Sequence, residues 1–191
     1  MRQARPAGIL GQAISYALVT LDDVTPSLLR RRTPCHAWDL DMLLRHASES
    51  LAALCEGIGT ATISLFPARQ ADGADDPARV LRNQACRLLQ AWATARRRPE
   101  LINIAGSPLP VSLMEVAGAL EIAIHAWDIS QASGHQQPVP PGLASHLLAV
   151  APLLVPLTGR QPLFAAPVAV PSGTSASGQL TAFLGRTSFA R

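Results

Sequence analysis

The chain has 191 residues, 48% hydrophobic and only 15% charged, with a formal net charge of +3. That length suits one domain, residues 1–191, with a full core, and the composition excludes a broadly disordered chain. Mean hydropathy is +0.20, but the most apolar run, residues 147–157, holds Pro152 and Pro156 and falls far short of the roughly twenty residues a membrane span needs.

In chain order, a first helix is predicted over about residues 9–29, where Ile14, Ala17, Leu18 and Leu21 recur at helical spacing, followed by Val24, Leu28 and Leu29. Arg30 to Pro34 breaks it. Asp39 has the chemistry of an N-cap, with Trp38 just outside and placed to pack back on the first turns. The second helix then runs to about Gly57, with Leu40, Leu43, Leu44, Ala47, Leu51 and Leu54 on its apolar side and His46 at the edge of that stripe. Residues 57–75 read as a loop. A third helix starts near Asp76-Pro77 and runs to about Arg97, with Pro at its first position. After a Pro- and Gly-rich break, Ser112-Leu113-Met114-Glu115 reads as a capping box opening a fourth helix, which ends at Gly134 as its C-cap. A fifth helix is predicted from Pro140 or Pro141 to Leu157. Val168-Ala169-Val170 reads as a short strand with residues 101–104 as its partner, and residues 179–184 as a last short helix. The fold class is mostly α: four long helices and a short C-terminal appendage, with loop lengths that permit an up-down bundle.

The chain has no Lys; its 16 cationic side chains are all Arg, which we attribute to coding bias. Arg30-Arg31-Arg32 and Arg96-Arg97-Arg98 fall where helices are predicted to end, a place cations favour. No aromatic residues interleave with them, which argues against nucleic acid as a partner. Cys35, Cys55 and Cys86 form no C-x-x-C pair, and their odd number argues against a disulfide framework. Cys55 and Cys86 read as core, and Cys35, at the mouth of the second helix, as more exposed. The N-terminus lacks an apolar run ending in a cleavage site, so the cytoplasm is the expected location.

Two segments carry the chemistry, each marked by His-Ala-Trp-Asp: His36-Ala37-Trp38-Asp39 with His46 beyond it, and Glu121-Ile122-Ala123-Ile124-His125-Ala126-Trp127-Asp128. Glu121 and His125 are four apart, so on a helix a carboxylate and an imidazole share one face. Glu121 sits among Ala119, Leu120, Ile122, Ala123 and Ile124, and a buried carboxylate needs a partner. With His46 the pair makes two imidazoles and one carboxylate, a donor set that leaves coordination positions open. The plainer reading is an ordinary helix-surface pair and an unrelated histidine. His36, His135 and His146 are alternative ligands. Asp128, on the same face, is either an acceptor for an imidazole N–H or the partner of an Arg on a neighbouring helix. Trp38 and Trp127 are packing residues at helix ends or, failing that, walls of a pocket.

At these residues the chain resembles the DinB-like superfamily. Thr33-Pro34-Cys35-x-x-Trp38-Asp39, Leu43-Leu44 and His46 are similar to its first metal-binding segment. Glu121-x-x-x-His125-Ala126-Trp127-Asp128 with Ala132-x-Gly134 is similar to its second. Pro167-Val168-x-Val170-Pro171 and Leu180-x-Ala182-Phe183-Leu184-Gly185-Arg186 resemble the tail of an actinobacterial branch. The resemblance implies a four-helix bundle holding a divalent metal on His46, Glu121 and His125. It also implies kinship with mycothiol-dependent maleylpyruvate isomerase and with S-transferases for mycothiol or bacillithiol. That isomerase carries an additional C-terminal domain contributing to its active site, where this chain has only a short tail.

Three functions are thereby expected in order. The first is a metal-dependent transferase that joins a low-molecular-weight thiol to a small electrophile, with zinc as the default metal and nickel, iron or cobalt also compatible. The second is a metal-dependent isomerase, hydrolase or cyclase that needs no thiol. The third is a non-catalytic module that binds a small ligand or forms a homodimer.

Overall fold

The computed structural model describes residues 8–35, 38–64, 75–94, 99–161 and 163–187. His36 and the Arg96–Arg98 cluster lie outside them. The described chain is mostly helical. Helix α1 spans Ile9–Thr20, shorter than the predicted 9–29. The chain turns at Asp22 and Asp23, whose charges oppose the negative end of a helix. Pro26, which lacks an N–H, then opens a single 3-10 turn, Pro26–Leu28. Helix α2 spans Leu40–Thr60, and the Asp39 carboxylate accepts from the Met42 N–H at 3.0 Å, as its cap chemistry predicts. The helix runs past Gly57 and stops where Ala61 turns left-handed (φ 56°).

Within the predicted 57–75 loop lies a strand: β1, Thr62–Ile63, pairs in parallel with β2, Leu101–Ile104, which pairs antiparallel with β3, Ser107–Pro110. Between β1 and β2 lies α3, Pro77–Thr94. Residues 101–104 are thus a strand, but their partners are not residues 168–170. Those residues form no strand. Pro167 and Pro171 flank them without N–H groups, and the Val168 N–H donates instead to the Ala182 carbonyl at 2.9 Å.

Strand β3 feeds directly into α4, Val111–Ser133, so Pro110 occupies the cap position and the predicted Ser112 capping box does not form. The Val111 N–H is satisfied by the Glu100 carbonyl at 3.0 Å. From Gly118 on, α4 is buried on nearly every side apart from Glu121, the pattern of a central helix. It ends at Gly134, left-handed as predicted. Helix α5 spans Pro141–Leu154, and α6 spans Ala176–Phe183, starting three residues earlier than predicted because Ser175 caps it.

Helix α1 lies against α4, α2 against both α3 and α4, and α5 against α6. Gly118 lets α2 and α4 approach closely: a Cβ there would sit 2.9 Å from both Leu54 methyl carbons. Arg31 is not at the end of its own helix; its Nη1 donates to the Ala132 carbonyl in the last turn of α4 at 3.2 Å. Among the described residues no helix is long and apolar enough to cross a membrane.

Candidate metal centre

The α2–α4 contact brings the two motifs together. His46 projects from the edge of the apolar stripe of α2. Glu121 and His125 lie one turn apart on α4. His46 Nε2 is 2.9 Å from Glu121 Oε1, and His125 Nε2 is 3.2 Å from the same oxygen. One donor atom from each of the three residues can be chosen so that all lie within 4.8 Å of one another. The Ser50 hydroxyl also donates to Glu121 Oε1, at 3.3 Å. His125 is buried, with 7% of its side chain exposed, while His46 and Glu121 keep about a third, 34% and 33%. The cluster therefore has a closed inner side and an open outer one.

Behind His125 stands Asp128, fully buried, its Oδ2 at 3.2 Å from His125 Nδ1. The same oxygen accepts from Arg186 Nη2 at 3.2 Å. Asp128 thus accepts from the imidazole and pairs with an Arg, though not one on a neighbouring helix. The Arg comes from beyond α6, 58 residues away in sequence. Gly185 places it, with φ +74° and the Ala165 carbonyl oxygen 2.7 Å from any Cβ it might carry. Arg160 ties the same segment down, donating to the carbonyls of Ala165 and Phe183 at 2.9 and 2.6 Å. Asp128 Oδ1 and Arg186 Nε are buried with no hydrogen-bond partner among the described residues.

Electrostatics follow from this geometry. Burial works against the charged form of His125. Hydrogen bonds that His125 donates to Asp128 and Glu121, and the charges of those carboxylates, outweigh it and raise the pKa to about 9. Burial likewise works against the Glu121 carboxylate, but His125 and then His46 hold it well below the usual carboxylate range. Burial, followed by the charge of Asp128, pushes the Tyr16 phenol far above its ordinary value; its hydroxyl donates to the Gln137 carbonyl at 2.8 Å.

Trp38 is half-buried and lies over the site, its ring centroid 4.4 Å from that of His46 and 6.1 Å from that of His125. Thr33 shapes the loop that presents it, its hydroxyl shared between the carbonyls of Cys35 and Trp38 at 3.0 and 2.9 Å. Trp127 is a buried core residue. His135 is drawn away to Asp23, at 3.6 Å, and His146 is exposed on α5. Neither joins the cluster. Cys35 is half-buried rather than exposed, and burial raises its thiol pKa. Cys86, expected in the core, is exposed, and Cys55 is half-buried.

The donor set fits a divalent ion. Two imidazole nitrogens and a carboxylate oxygen converge with no Arg between them, and the second carboxylate fixes which nitrogen of His125 points inward. A narrow cleft adjoins Glu121 and His125. Compared with known proteins, the chain matches no family model, no curated protein and no solved structure.

Proposed function

We propose that the chain is a metal-dependent transferase of the DinB-like kind, joining a low-molecular-weight thiol to a small electrophilic substrate in the cytoplasm. On this reading α1 to α4 are the four-helix bundle of that superfamily, and His46, Glu121 and His125 hold a divalent ion, zinc by default. The observation that carries the reading is the convergence of His46 Nε2 and His125 Nε2 on one Glu121 oxygen. A divalent metal held there supplies a Lewis acid with open positions, which favours the thiolate of a bound thiol.

The chain's own residues supply positioning. Asp128 retains the proton on His125 Nδ1, so that Nε2 is the nitrogen turned inward. Arg186 neutralises Asp128, so the carboxylate accepts that proton's hydrogen bond without taking the proton. His125 is buried on α4, and Trp38 lies over His46 on the partly exposed side of the cluster.

Metal content per chain tests the first step, on tag-free protein purified without added metal or chelator, with His46→Ala in parallel. Near-stoichiometric metal that vanishes in the variant supports the site. No metal in either, even after reconstitution with zinc or nickel, overturns it. The second step is thioether formation between mycothiol and monobromobimane, in which the thiolate forms the C–S bond and bromide leaves. Acceleration by the metal-loaded chain and not by His46→Ala is the expected result.

A further inference from the structure

The cleft beside the donors has walls of one chemical kind. Ala17 on α1, Ala47 and Leu51 on α2, Leu81 on α3, and Ile122 and Ala126 on α4 close it from four helices. Ser50 is the one hydroxyl in the lining among the described residues, and it is engaged by Glu121 Oε1. No Arg, Asn or Gln is among those lining residues, and the only charged groups are the donors Glu121 and His125 at one edge. Away from the donor edge, a carboxylate or phosphate entering there would lose its water and find no cation or amide to replace it. It would also approach the Glu121 carboxylate. A hydrocarbon group gains from the same walls, because every surface it covers is apolar. Three of the seven apolar lining residues are Ala, so the space is left by small side chains on facing helices.

We infer that this cleft receives the uncharged hydrocarbon tail of the electrophile, a short branched alkyl group or its equivalent, and turns away substrates whose tail is anionic. The inference rests on the metal-and-thiol reading for the reaction, but the selectivity belongs to the walls and can be read without turnover. The electrophilic carbon would lie at the Glu121–His125 edge and the tail among Leu51, Leu81 and Ile122.

Two probes of matched shape test it: 3-methylbutan-1-ol, and 3-hydroxypropanoate, in which a carboxylate replaces the isopropyl group. Each is titrated into the zinc-loaded chain with labelled Leu and Ile methyl groups, and zinc content is measured on the same sample. The expected result is saturable shifts of the Leu51, Leu81 and Ile122 methyls with the alcohol, and binding of the carboxylate at least tenfold weaker. Equal or tighter binding of the carboxylate, or no shifts with the alcohol, overturns the inference. Ala17→Leu should fill the cleft and weaken alcohol binding at least tenfold with zinc content unchanged. Leu81→Phe, from another helix without donors, replaces it if the first variant fails to fold. Alcohol binding that survives filling also overturns the inference. A chain that takes up no zinc yet binds the alcohol at these methyls upholds the cleft and overturns the metal reading instead.

Discussion

His125 lies between two carboxylates, with one ring nitrogen toward Asp128 and the other toward Glu121. Its pKa, raised to about 9, fixes the sign of the pH dependence. The stabilisation it brings is fully present below the unfolded value near 6.5 and is lost as pH rises through about 9. Glu121 behaves oppositely: its lowered pKa gives stability present above its ordinary value and lost as pH falls. Urea unfolding in chelator should therefore weaken between neutral pH and pH 10. With zinc bound, the proton on His125 Nε2 is displaced, so zinc affinity should rise over the same interval. Calorimetry at pH 7 in buffers of different ionisation enthalpy should show proton release on binding, and release in no buffer would remove His125 from the ligand set. His46→Ala and His125→Ala should each lower metal content, while His146→Ala, exposed on α5, should not. Equal loading in all three would reject these ligands. Asp128→Asn should weaken metal binding by about 10- to 100-fold, as loss of a partner behind a ligand does.

At the scale of elements, α4 and the segment after α6 are joined through one buried ion pair, with 6% of the Arg186 side chain and none of the Asp128 side chain exposed. Removing one partner leaves an uncompensated buried charge, so Arg186→Gln should cost about 3–5 kcal/mol. A double-mutant cycle with Asp128→Asn should recover much of that, and strict additivity would show that the two do not act as a pair. Gly185→Ala should cost roughly 1–3 kcal/mol, because φ is +74° and the Ala165 carbonyl oxygen blocks the Cβ; unchanged denaturant midpoints would contradict this. Legibility in sequence divides along the same line. The cap at Asp39, the stop at Gly134 and the Glu121–His125 face were readable because each depends on residues a few positions apart. The Arg186–Asp128 pair was not, because no local spacing connects residues 58 apart. Strand β1 is two residues long, too short to carry a period. Val168 and Val170 showed a strand's alternation, but their flanking prolines leave little backbone to pair.

For the whole molecule, a ligand that binds only the folded chain stabilises it by mass action, about 2.7 kcal/mol at a hundredfold excess over Kd. Zinc should raise the melting temperature of the wild-type chain and leave that of His125→Ala unmoved; a shift of equal size in both would place the ion elsewhere. The mostly helical class was legible from periodicity. The convergence of His46 with α4 was foreshadowed by the need of a buried carboxylate for a partner and by the resemblance, not by local spacing, since the α2–α4 approach at Gly118 depends on tertiary packing. The reach of Arg186 to Asp128 also has a temporal side. During synthesis the three donors, at positions 46, 121 and 125, leave the ribosome well before position 186. A nascent chain therefore carries these candidate ligands without the cation that pairs with the carboxylate behind His125. Because coupling between two binding events is reciprocal, an ion captured early would favour the late docking of the tail by the same factor that docking tightens the ion.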